Sequence, residues 1–299
     1  AGHSGSLSLW DGRDEFFKDL IVTPDGSSHH IDVFSWVGLI PLFATEVIDE
    51  RLLQRTPRFR NVLLSHYNGS FDGHKVTHCP VQTNARGEHL LSVVGPHRLR
   101  SVLRRVLSED EFLSRYGVRG VSRMHVDRRD LGVLPGIGQA LIEYVPGESN
   151  SPLFGGNSNW RGPIWMPTNY MLVQAIENFH RYYGDGFQVA APCCGGERLT
   201  LKEIATLLSE RLLDMFRRDG LERVPALPGN SPFQNDPHWR GLLLFHEYFH
   251  GESGLGLGAM HQTGWTGLVA NLVQRKYRVD IPAFWRQQAE MAPLRKAAA

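Results

Sequence analysis

Leu199-Thr200-Leu201-Lys202-Glu203-Ile204-Ala205-Thr206-Leu207-Leu208-Ser209-Glu210-Arg211-Leu212-Leu213-Asp214-Met215-Phe216 is the stretch that decides the fold class. Thr200 is a helix-capping residue, and Glu203 three positions later completes a capping box, which satisfies two of the amides that a helix start leaves unpaired. Ile204, Leu207, Leu208, Leu212 and Met215 then recur at the helical period, so the segment reads as an amphipathic helix with one buried face. The same reading applies at residues 34–48, 49–67, 97–106, 164–183, 236–249, 264–276 and 282–291, and Ser108 with Glu111 marks a further start. Gly184 is a helix stop, and Asp236-Pro237 a helix start. Period-2 alternation is scarce; the short apolar runs at Ile21-Val22 and Leu141-Ile142 read as strands of a small hairpin. Eight or nine helices joined by loops of unequal length predict a mostly α fold, either a barrel of antiparallel helix pairs or an irregular helical domain. No fixed-period repeat is present, which disfavours a solenoid.

Composition narrows the function. The chain has 299 residues, 41% of them hydrophobic, enough for a full core in one large domain or two small ones, and no boundary between domains is evident. Lysine plus arginine total 32 against 31 aspartate plus glutamate, so no net field attracts a nucleic acid or an anionic membrane surface. No apolar run reaches the roughly 18 residues of a membrane span, and the N-terminus has no signal-peptide pattern. Cys79 and the adjacent pair Cys193 and Cys194 make an odd set, in which neighbours bridge each other only under strain. Reduced thiols in a cytoplasmic protein are the expectation. The chain opens Ala1-Gly2-His3-Ser4 without a methionine, which leads us to expect a fragment of something longer.

Two segments carry chemistry. Between Tyr116 and Asn159 glycines and prolines punctuate a long loop of the kind that is usually functional. It runs into Asn157-Ser158-Asn159-Trp160-Arg161-Gly162-Pro163-Ile164-Trp165-Met166-Pro167-Thr168-Asn169-Tyr170 at a helix entry. Aromatic rings pack on the C–H faces of sugars while amides and guanidinium meet hydroxyls, so this mixture suits carbohydrate. Trp160 and Trp165 as core residues, with Arg161 in a helix-entry ion pair, is the competing structural reading. The second segment is Phe245-His246-Glu247-Tyr248-Phe249-His250-Gly251-Glu252-Ser253-Gly254-Leu255-Gly256-Leu257-Gly258, followed by Gly264-Trp265-Thr266. A glutamate among aromatics at a loop mouth is placed to act as a base toward water; Glu252 reads as a solvated turn residue. His246-Glu247-x-x-His250 also matches the short zinc-peptidase pattern, a reading that needs a helix continuing past His250 and a third ligand. Glycines at 251, 254 and 256 argue against such a helix, so no metal or other cofactor is assigned.

Both segments, with Trp10-Asp11 and Ser35-Trp36-Val37-Gly38-Leu39-Ile40-Pro41-Leu42, resemble the bacterial branch of glycoside hydrolase family 63, related to the processing α-glucosidase of the endoplasmic reticulum. Trp160-Arg161-Gly162-Pro163-Ile164-Trp165 with Asn169-Tyr170, and Glu247-Tyr248 followed by Gly264-Trp265-Thr266, are the most specific matches. The resemblance implies an (α/α)6-barrel, or α/α toroid, of six helix pairs, as in six-hairpin glycosidases. It spans nearly the whole chain, 1–299, as a single catalytic domain, a C-terminal portion lacking its first helix pairs.

The resemblance implies inverting hydrolysis of an α-glucosidic or related α-glycosidic bond in an oligosaccharide or small glucoside. An inverting pair of carboxyl groups stands about 6.5–9.5 Å apart, leaving room for water. By motif match Glu247 is the general base; Trp160, Arg161, Gly162, Trp165, Asn169 and Tyr170 line the sugar subsite, and Trp265 forms another wall. The family's general acid, an aspartate in a Glu-Ser-Gly-Trp-Asp-like segment, has no counterpart here and is expected upstream, so the chain alone is expected to be inactive. A catalytically incomplete sugar-binding barrel is the alternative, and a zinc metallopeptidase a lesser one. The exact sugar, a calcium requirement and the oligomeric state are left open.

Overall fold

A computed structural model describes residues 7–68, 70–71, 74–75, 83–127, 129–134, 138–150, 162–261 and 263–277. In chain order the elements are β1 (Trp10–Asp11), β2 (Phe16–Phe17), β3 (Leu20–Val22), β4 (Ser28–His30), β5 (Thr45–Asp49), α1 (Glu50–Arg55), α2 (Pro57–Asn68), β6 (Ser70–Phe71), β7 (His74–Lys75), β8 (Glu88–Ser92) and α3 (Pro96–Val106). There follow β9 (Leu113–Ser114), β10 (Gly117–Val118), β11 (Arg129–Leu134), β12 (Gly138–Ile142), α4 (Met166–Tyr183), β13 (Gln188–Ala190), β14 (Arg198–Thr200), α5 (Leu201–Asp214), α6 (Pro232–Asn235), β15 (Tyr248–Phe249), β16 (Gly256–Leu257), α7 (Thr263–Thr266) and α8 (Val269–Tyr277). The strands pair antiparallel in two-stranded sheets, mostly hairpins, with β5 and β8 as the long-range pair.

The helices that pack follow the apolar spacing. In α5 the Thr200 hydroxyl accepts from the Glu203 amide at 3.2 Å while the Glu203 carboxylate accepts from the Thr200 amide at 2.8 Å, the reciprocal cap expected. Its buried face, Leu201, Ile204, Ala205, Leu208, Leu212 and Leu213, packs on α4, whose own buried residues include Leu172, Val173, Ile176 and Phe179. Gly184 ends α4 with φ 67°, a left-handed value that a side chain rarely adopts. One core cluster extends from Phe16 and Phe34 through α3, α4 and α5 to Leu272. Phe16 lies between Phe34 and Phe112, with ring centroids 5.4 and 5.7 Å away.

Three expected helices are absent as such. Residues 34–48 form two 3-10 turns (Trp36–Gly38, Ile40–Phe43) and strand β5. After Ser108 the chain turns instead of winding: the Ser108 carbonyl accepts from the amides of Glu111 and Leu113, and the β9–β10 hairpin follows. Residues 236–249 hold turns and strand β15; of the expected apolar stripe, Trp239, Leu242 and Leu243 are exposed while Phe249 is buried. Ile21-Val22 and Leu141-Ile142 are strands, but of separate hairpins, β3–β4 and β11–β12. Residues 282–291 lie outside the described residues.

Candidate functional site

The two motif segments, about eighty residues apart in sequence, are joined by backbone. The Ile164 amide donates to the Phe249 carbonyl at 2.8 Å and the Phe249 amide to the Ile164 carbonyl at 2.9 Å. Ile164 also bridges Arg119 on its other side, so the entry to α4 is sandwiched between the β15–β16 hairpin and the strand end after β10. This pairing seats Trp165, the residue before α4, against Tyr248 at 4.7 Å and against Trp265 at 6.0 Å between ring centroids.

Glu247 precedes β15 and is half-buried. Its amide donates to the Ala259 carbonyl at 2.8 Å, and its Oε2 accepts from the Ala259 amide at 3.2 Å. The Trp265 indole N–H donates to the Glu247 carbonyl at 3.0 Å, and the Thr266 hydroxyl to the His246 carbonyl at 2.5 Å, tying α7 across the same turn. Gly258 makes this close fold feasible: it sits at φ 66°, and a Cβ there would stand 2.7 Å from both Glu247 Oε2 and a ring carbon of Tyr248. One carboxylate oxygen is thus held by backbone, while Oε1 has no hydrogen-bond partner among the described residues.

Tyr248 was missed by the sequence reading as a site residue. Its ring packs on Trp165, and its hydroxyl donates to Glu148 Oε2 at 2.7 Å. Burial, then the hydrogen bond to Glu148 and the charges of Glu148 and Glu247, push the Tyr248 phenol well above its ordinary range. A second carboxylate, Glu148, therefore stands on the far side of Tyr248. The signal for Tyr248 was its adjacency to Glu247; Glu148, a hundred residues away, carried none.

The other expected site residues divide. Asn169 is 1% exposed, and its amide is spent on backbone: Oδ1 accepts from the Val118 amide at 2.7 Å, and Nδ2 donates to the carbonyls of Val118 and Trp165 at 3.0 and 2.9 Å. It fastens α4 to β10, with its amide oxygen and nitrogen both engaged by backbone. Tyr170 points to α8, its hydroxyl donating to Asn271 Oδ1 at 2.7 Å. Trp165 is buried beneath Tyr248 and Trp265, and Gly162, at φ 74°, accepts from the Gly120 amide through its carbonyl. Trp265 is half-buried. Trp160 and Arg161 lie outside the described residues.

Glu252 is exposed in its turn, as expected, but it is also held by two neighbours. Arg119, 3% exposed, donates from Nε and Nη2 to the two Glu252 oxygens at 2.9 and 3.0 Å and from Nη1 to the carbonyls of Glu109, Glu111 and Leu113. The Tyr144 hydroxyl donates to Glu252 Oε1 at 2.7 Å. Burial alone would raise the Glu252 carboxyl, but the hydrogen bonds from Arg119 and Tyr144 hold it below the ordinary range. This fork-to-fork brace clamps the hairpin turn to the loop before β9. Sequence gave no hint of it, since the pair is 133 residues apart.

His246 and His250 do not share a helix face. They flank strand β15; His246 is 4% exposed with its ring packed on Gly256, where a Cβ would approach to 2.1 Å. The His250 Nδ1 accepts from the amides of Glu252 and Ser253 at 3.2 Å each. The helical geometry that the zinc-peptidase pattern requires is replaced by a hairpin, and no cluster of three potential metal ligands occurs among the described residues.

No family model matches the chain. It is similar to an uncharacterized protein of Saccharomyces cerevisiae, 38% identical over 269 residues, which cover 89% of this chain and 24% of that protein. It is also similar to a probable mannosyl-oligosaccharide glucosidase of Schizosaccharomyces pombe, 25% identical over 60% of this chain and 16% of the relative. A mannosyl-oligosaccharide glucosidase of Saccharomyces cerevisiae is 30% identical over 41% of this chain and 12% of the relative. The chain spans less than a quarter of the length of each of these relatives. Among the described residues no helix is long and apolar enough to cross a membrane.

Proposed function

We propose that the chain is part of a glycosidase whose reacting centre includes Glu247. More narrowly, it belongs to an inverting α-glycosidase of the family 63 type that cleaves an α-glucosidic bond of an oligosaccharide or small glucoside. The observation that carries this reading is the Ile164–Phe249 backbone pairing, which joins the aromatic α4 entry to the Glu247 turn. The similarity to proteins named mannosyl-oligosaccharide glucosidase supports the same class.

In this mechanism Glu247 Oε1 takes a proton from water, and the water oxygen attacks the anomeric carbon from the face opposite the leaving group. The Ala259 amide on Oε2 keeps the carboxylate in one orientation through that transfer. Trp265 offers an aromatic wall, while Trp165 and Tyr248 support it from beneath. The proton for the departing oxygen comes from an acid in a part of the longer protein that this chain does not match. The α/α toroid is proposed for that longer protein, with α4 and α5 as one of its helix pairs.

The test is hydrolysis of an activated aryl α-glucoside and a panel of α-linked disaccharides by this chain and by a version extended upstream, with anomer-resolved NMR of the product. Release of the β-anomer by the extended protein is expected, and Glu247→Gln should lower kcat by about 10²–10⁴-fold, the usual worth of a general base. Sugar binding without turnover in either version would replace this reading with a binding module.

A further inference from the structure

Away from this site, Pro192–Cys194 form a 3-10 turn at the tip of the β13–β14 hairpin. In a strand neighbouring side chains point to opposite faces, whereas in a 3-10 turn they are only about a third of a turn apart. Cys193 Sγ and Cys194 Sγ lie 3.4 Å apart, and both thiols are free. The turn is pinned: the Cys193 amide donates to the Leu107 carbonyl at 3.1 Å, and the amides of Cys194 and Gly196 both donate to Ala191 at 3.0 Å. Gly195, at φ 65°, closes it. Both side chains are half-buried against the core and half open to solvent.

We propose that Cys193 and Cys194 form a two-thiol site for a trivalent, thiophilic electrophile of the arsenoxide class. With bonds of about 2.3 Å, the length of a zinc–thiolate bond, sulfurs at this separation subtend about 95° at a shared atom. That is narrower than a tetrahedral cation prefers and suits a pyramidal centre that keeps a lone pair. Proton chemistry points the same way: burial, with the hydrogen bond and charge of Cys194 next, pushes the Cys193 thiol up to about 12. A divalent cation binds the two sulfurs as thiolates and must release both protons to solvent. An arsenoxide does not, because two As–S bonds form, the As–O double bond breaks, and both thiol protons leave with the oxygen as water. Arsenic stays trivalent and nothing is oxidised.

The probe is phenylarsine oxide, added in one equivalent to the reduced full chain carrying Cys79→Ser, with intact-mass measurement and mapping to the tryptic peptide of residues 182–198. One phenylarsenic group per chain should survive a wash with excess 2-mercaptoethanol and come off with 1,2-ethanedithiol. Cys193→Ser and Cys194→Ser should each lose all wash-resistant label while keeping the parent's melting transition. Label removed by the monothiol, or retained in either serine variant, overturns the proposal. Should a serine variant fail to fold, the monothiol wash of the parent decides alone.

Discussion

Single residues in this protein are tuned by what surrounds them more than by what they are. Asn169 sits in a motif rich in sugar-binding side chain types, yet its three hydrogen bonds all go to backbone in a site closed to solvent. Asn169→Ala should therefore destabilise the fold by about 3 kcal/mol, since it orphans a buried amide and two carbonyls; urea unfolding measures it. A loss of sugar affinity with unchanged stability would return Asn169 to the ligand. His125 offers a second residue-level test. It is fully buried, its Nε2 accepts from the Phe34 amide at 3.0 Å, and the charged groups around it are Arg129, Asp32 and Lys18. Burial first, then Arg129, lowers it from 6.5 to about 4. A depressed histidine favours the folded state above the unfolded pKa, and that advantage disappears as pH falls from 6.5 to about 4. The loss amounts to about 3 kcal/mol at 1.36 kcal/mol per unit. Carboxylates such as Asp14 and Glu88, both held at about 2, lose their contribution only from about pH 5 downward, and His246, also lowered by burial, adds to the loss at higher pH. Urea midpoints between pH 7 and 4.5 should fall in the parent and fall less in His125→Gln.

At the scale of elements, legibility follows the length over which a pattern can repeat. The capping box and stripe of α5, the run of α4 and the stop at Gly184 were readable because each spans several turns of a regular period. Strands of two or three residues have no room for alternation, so hairpins such as β1–β2, β9–β10 and β15–β16 were invisible. Phe34, Trp36, Leu39 and Leu42 imitate a helix face because successive 3-10 turns return them to one core. The Glu247 turn was legible in composition, through its dense glycines, but its partners Arg119, Tyr144 and Glu148 arrive from distant chain. The brace predicts its own strength. Glu252→Gln keeps the shape and removes the charge that faces buried Arg119, and it should cost about 2 kcal/mol, less than a fully buried pair because the Glu252 side chain is 42% exposed. Amide exchange in residues 248–257 should accelerate with it; unchanged exchange would mean the clamp is idle.

Taken whole, the described chain depends on its first described residues. The β1–β2 hairpin contributes Phe16 to the centre of the core, beside Phe34 and Phe112 and against Gly38, where a Cβ would meet the ring at 2.1 Å. Phe16→Ala should cost about 3–5 kcal/mol, the range for emptying a buried aromatic site, and guanidinium midpoints will report it. A cost near zero would mean that the hairpin is an appendage. The relatives named mannosyl-oligosaccharide glucosidase are matched over a small part of their length, and the proposed pairing of Glu247 with an acid outside this chain is tested at that larger scale by the anomer-resolved assay.

The Ile164–Phe249 bridge also governs what evolution can edit. Because a strand exchanges its two faces with every residue, a deletion or insertion of one position between Glu247 and the bridged Phe249 would put Tyr248 or His246 where Glu247 now stands, while leaving the composition almost untouched. Substitutions in this stretch are graded in effect, but a change in its length is not. The conserved quantity to seek in relatives is therefore the count of residues from the glutamate to the Gly-Trp-Thr turn, with identities in between free to drift wherever no ring rests on a glycine.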